Sequence, residues 1–249
     1  MPYAIMQREL SPVGADQLSR AFKVLPALTA IDAQTMANDA YGIIIRGLDV
    51  IDASALQDAL LREEVQTEVV DESELPVIPP AKLVKQIDLL PAHLSMYDPM
   101  GRTFTLAWTD ISLMAAGTVR LEEIRKARSA HDDIQHFGSA RGQEAGSDSR
   151  AKGSHFHLWL EIVLSGGVSR YSIKADDFVF NHLGERLTPH LASNFKLLVQ
   201  DLVQHAPHAG LNRGAYLVSE NSDEIFTYPS KAAFFEEMTW MLWRMAQMR

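Results

Sequence analysis

Apolar residues recur at every second position through the middle of this chain, and at every third or fourth position near its start and its end. The strongest alternation begins at Phe156. Phe156, Leu158, Leu160, Ile162 and Leu164 fall on one side of an extended strand, with His155, His157, Trp159 and Glu161 on the other. The spacing predicts that the first set faces a core. Upstream, Leu94 to Tyr97 and Thr103 to Trp108 flank the turn residues Asp98-Pro99-Met100-Gly101-Arg102, which predicts a hairpin. A third apolar segment runs from Asp110 to Leu121, with Gly117 marking a bulge or a close packing point. Ser165-Gly166-Gly167-Val168 supplies a turn, and Tyr171, Ile173, Phe178 and Phe180 continue the β pattern. Phe195, Leu198, Val199 and Leu202 then form a helical stripe that Ser193 or Asn194 can cap.

The first part of the chain mixes the two periods. Tyr3 to Leu10 predicts a strand, and Leu18, Ala21, Phe22 and Leu25 predict a helix stopped by Pro26. A second helix begins at Thr29, with Asp32 favouring its positive end. The β-branched run in Tyr41 to Arg46 predicts a central strand buried on both faces. Asp52 is placed to cap a helix through Ala53, Leu56 and Leu60, and Val65 to Val70 predicts a further strand. Near the other end, Pro229 and Ser230 announce a helix in which Phe234, Met238, Met241, Met245 and Met248 share a stripe. That stripe either covers the core or takes a partner, since methionine and aromatic residues serve both purposes.

These elements predict an α+β protein. Residues 1–75 form a small α/β domain, 76–81 a proline linker and 82–206 an antiparallel β-barrel or sandwich closed by a helix. Residues 129–154 form a flexible Gly/Ser-rich insertion in that domain, and 207–249 a C-terminal extension with a packing helix. Through YGIIIRGL, DASALQDALLREE and VQTEVV, the first domain resembles ferredoxin-like and ACT-like domains. That resemblance implies a unit that binds a small ligand or pairs through its sheet. LSMYDPMGRTFTLAW, HFHLWLEIVLSGGVSRYSI and ASNFKLLVQDLVQHAP resemble a pleckstrin-homology-like domain. Lipid-binding domains of that kind carry basic residues around their first hairpin, whereas here that turn has only Arg102, so phosphoinositides are not the expected ligand.

Composition narrows the partners. The chain has 249 residues, 47% of them hydrophobic and 22% charged, which suits a globular protein. Its net charge of -9, with no long basic run, argues against nucleic acid. It has no cysteine, so thiolate and disulfide chemistry are excluded. No run reaches a membrane span and no leader pattern opens the sequence, so the cytoplasm is the expected location.

Candidate chemistry rests on histidine. His155 and His157 project from one strand face and are the candidate metal ligands, with Glu161, His131 or His136 as further donors. No nucleophile, base and acid can be assigned in a catalytic order, and no pattern names a cofactor. The expected function is therefore a cytoplasmic binding or scaffold protein acting through protein contacts or self-association, with Phe234, Met238, Met241 and Met245 as the interaction candidates. The alternatives are a metal-dependent enzyme built on His155 and His157, or a small-ligand sensor in the first domain.

Overall fold

A computed structural model describes residues 1–39, 41–122 and 154–248. The N-terminal unit comprises β1 (Tyr3–Gln7), α1 (Ala15–Ala21), α2 (Ala30–Asp39), β2 (Ile43–Leu48), α3 (Val50–Arg62) and β3 (Thr67–Asp71). Its sheet is antiparallel in the order β2-β1-β3. On one face Leu18, Phe22, Leu56 and Leu60 from the helices bury Ile5 and Ile45. Asp49 caps α3, accepting from the amides of Ile51 (2.9 Å) and Asp52 (2.8 Å), while Asp52 lies in the first turn. The β-branched strand β2 stands at the sheet edge rather than its centre, and its isoleucines are buried because both faces of the sheet are covered.

The rest of the chain contains β4 (Ala81–Leu83), β5 (Gln86–Leu89), β6 (His93–Tyr97), β7 (Thr103–Ala107), β8 (Ile111–Glu122), β9 (Ser154–Leu164), β10 (Arg170–Lys174) and α4 (Leu191–His205). These are followed by β11 (Gly210–Leu211), α5 (Arg213–Ser219), β12 (Thr227–Tyr228) and α6 (Lys231–Gln247). Strands β5, β6 and β7 form an antiparallel meander. A larger sheet runs β11-β8-β9-β10-β4, with β12 also on β8; β4, β11 and β12 join it in parallel. Leu94 and Met96 of the meander, Met114, Leu160 and Ile162 of the large sheet, and Phe195, Leu198 and Leu202 of α4 share one core.

The fold is thus mixed α+β with mostly antiparallel sheets, and among the described residues none closes into a barrel. β7 and β8 belong to separate sheets, so the expected shell stays open between them. Residues 76–80 are not a detached spacer. Ile78 packs against the large sheet's second core, the Pro79 carbonyl accepts from Arg170 Nε at 2.8 Å, and the chain then enters β4. The expected inward face of β9 holds from Leu158 to Leu164, but Phe156 is 57% exposed where the strand runs beyond the core. The opposite face is not solvated either, because Trp159, Glu161 and Val163 lie buried under α6.

Helix α6 is the spine of the molecule. Ser230 caps it by accepting from the Ala233 amide at 3.0 Å. One side places Phe234 and Met238 against Leu113, Trp159 and Val163 of the large sheet. Another places Trp240 and Trp243 against Ala4, Met6, Ile43 and Val70 on the back of the N-terminal sheet. Polar ties fix that second contact: Trp240 Nε1 donates to the Gln7 carbonyl at 2.6 Å, and Arg46 makes a forked ion pair with Glu236. Gly42 has a φ of +90°, and a Cβ there would sit 2.4 Å from Trp240, so glycine is required on both counts.

Candidate functional site

Among the described residues singled out from the sequence, His157 and Glu161 stand on β9, and Phe234, Met238, Met241 and Met245 on α6. His157 Nδ1 lies 2.6 Å from Asp176 Oδ2. His155 pairs through its backbone with Leu121, and its side chain lies outside the described part. So do His131, His136 and all but the last residue of the expected 129–154 insertion. Among the described residues, no group of three or more His, Asp or Glu side chains is arranged to hold a metal ion. Phe234 and Met238 are buried within the chain, while Met241 and Met245 are half-buried beside them, Met245 facing Gly210. Among the described residues no helix is long and apolar enough to cross a membrane.

Two buried carboxylates flank α6, and sequence reasoning identified neither as structurally important. Glu237, on the helix itself, accepts from the Tyr228 hydroxyl (2.7 Å) and the Arg213 amide (2.8 Å). Asn212 completes that network. Its Oδ1 accepts from the amides of Ala116 and Ala215, and its Nδ2 donates to the Ala116 carbonyl and the Tyr228 hydroxyl. Burial, followed by the neighbouring Glu237 charge, raises the Tyr228 phenol, so it remains a hydrogen-bond donor. Close backbone approach makes room for this arrangement. A Cβ on Gly117 would lie 2.7 Å from the Tyr228 ring, which confirms Gly117 as a packing point.

Glu161, on β9, is also fully buried, and Arg170 approaches it to 3.0 Å, but neither carboxylate oxygen has a hydrogen bond in good geometry. Burial therefore pushes its pKa up to about 7, against the opposing pull of Arg170. His182, flanked by Phe178 and Phe180, has no hydrogen-bond partner at either ring nitrogen among the described residues, and burial lowers its pKa. None of these groups lines the cleft at the end of α6.

A concavity lies at the seam between β3 and the end of α6. It has a volume of about 520 Å³ and is lined by Glu68 to Asp71, Tyr3, Glu74, Trp243, Arg244 and Gln247. Arg244 joins its walls through an ion pair with Glu68 at 3.3 Å. Trp243 is only 5% exposed, and its indole Nε1–H has no hydrogen-bond partner among the described residues. The cleft unites residues far apart in sequence, so no local pattern announces it. Comparison with protein-family models, curated proteins and solved structures gives no match to this chain.

Proposed function

We propose that this is a cytoplasmic, non-catalytic binding or scaffold protein that works through protein contacts, including contacts with its own kind. The observation that carries the reading is the seam cleft. It opens between β3 of the N-terminal sheet and the end of α6, the helix that braces that sheet against the large one, so an occupant would touch the sheet and its brace. The likeness of the second half to a pleckstrin-homology-like module belongs to the same proposal and rests on the β5–β7 meander and the amphipathic α4. Arg102, the basic residue of the first hairpin turn, is engaged by Asp98 at 2.6 Å, which speaks against a phosphoinositide headgroup there. A small ligand in the same cleft is the sensor form of this reading. Gentle purification from the producing cells, followed by light scattering over a range of concentrations, tests it. Retention of a stoichiometric polypeptide, or concentration-dependent assembly, is expected; a companion-free monomer throughout overturns it.

A second reading, a metal-dependent enzyme, is favoured by one observation: Asp176 holds His157 at Nδ1, the support that commonly orients a histidine ligand. Metal analysis of the purified protein and its melting with and without chelator separate the two. Bound metal together with a chelator-induced loss of stability favours the enzyme.

A further inference from the structure

We infer that the free edge of β3 accepts an extended, basic segment of a partner protein as an added strand. The inference rests on the binding reading above and names the partner's chemistry. In the β1/β3 ladder, Arg8 N donates to the Gln66 carbonyl and Glu72 N to the Pro2 carbonyl, which fixes the alternation of bonded pairs. Glu68 and Val70 consequently spend their backbone groups on β1, while those of Thr67, Val69 and Asp71 point away from the sheet. The Thr67 carbonyl is taken by Gln57 Nε2 at 2.9 Å. No other strand pairs with β3 among the described residues, so Val69 and Asp71 present an open row of donors and acceptors.

That row lies along the seam cleft, whose lining takes consecutive residues from both faces of the strand, Glu68 to Asp71, and whose far wall is the end of α6. Strand addition uses this geometry: main-chain bonds along an edge, with side chains received by a neighbouring wall. Arg244 and Arg8 both pair with Glu68, which leaves Asp71 and Glu74 of the lining to select a basic segment. The Trp243 ring supplies the apolar part of that far wall, against which a side chain of the added strand can pack. Charged side chains alone would be ordinary protection of an edge. A second copy of β3 is the wrong occupant, since pairing like edges sets these carboxylates against one another.

The test uses the whole protein and a short fluorescent peptide of alternating lysine and valine. Val69→Pro removes an outward N–H and blocks the edge while leaving the β1 bonds in place. Peptide binding to the native protein is expected, with a loss of about tenfold or more in Val69→Pro. Glu74→Lys, at an exposed position, weakens binding without touching the strand. A glutamate-valine peptide, and a lysine-valine peptide interrupted by proline, are expected to fail. Absence of binding by the lysine-valine peptide, or equal binding by folded Val69→Pro or by the proline-interrupted peptide, overturns the inference. A native partner still retained by Val69→Pro would place binding elsewhere and leave the broader reading standing.

Discussion

Glu161 and Glu237 are both shut away from water on the same side of the large sheet, yet only one of them is fully answered by its surroundings. Glu237 meets a hydroxyl, a backbone amide and the Arg213 guanidinium, and Asn212 ties those groups to the β8 backbone. Glu161 meets Arg170 in charge but not in hydrogen-bond geometry. The difference shows that burial of a carboxylate does not by itself decide its role. The first is a fastening that joins β8, α5, β12 and α6, whereas the second is a charge held at a cost that its partner only partly offsets.

The largest test of that contrast is Glu237→Ala, which leaves the Tyr228 hydroxyl and Arg213 without their acceptor. It is expected to cost about 3–5 kcal/mol of stability in urea unfolding. Tyr228→Phe keeps the ring but deletes the bridge between Asn212 and Glu237, and a loss of about 1–3 kcal/mol is expected by the same measurement. Survival of full stability in either variant would erase the distinction.

Glu161 sharpens the comparison through pH. Its folded pKa, about 7, lies above the usual carboxylate value, so the unfolded chain ionises first as pH rises. Its contribution is therefore fully present below about pH 4.3, declines towards pH 7 and levels off above. Subtracting the stability curve of Glu161→Gln from that of the native protein should isolate this decline; a rising or flat difference contradicts the assignment. The smallest effect is expected for replacing Glu161 and Arg170 together by methionine. At neutral pH the chemical-denaturation midpoint should be unchanged or higher, because an imperfect buried pair is lost with both its charges.

Much of the fold was legible because its signals are local. The β6–β7 hairpin, the β9 alternation from Leu158 to Leu164, the Ser230 cap and the stripes of α4 and α6 all follow from spacing within a few residues. What escaped depends on distant pairing. Consecutive isoleucines mark burial on both faces of β2, but the same burial arises at an edge when α6 covers the back of the sheet. Trp159 and Val163, apolar residues on the nominally polar face of β9, were the available sign that this face is covered as well. The candidate site was hidden for the same reason, since nothing near Glu68 foretells Trp243 beside it. Glu237, read locally, is an ordinary helix-surface charge.

Helix α6 follows in the chain every sheet that it covers. During synthesis, Ala4, Met6, Ile43 and Val70 must therefore wait with their apolar surface bare until Trp240 and Trp243 have been made. The growing polypeptide thus carries an unfinished N-terminal unit until residue 243 has been made, and an arrest before residue 231 yields a product with two sticky sheet faces rather than one shortened but finished fold.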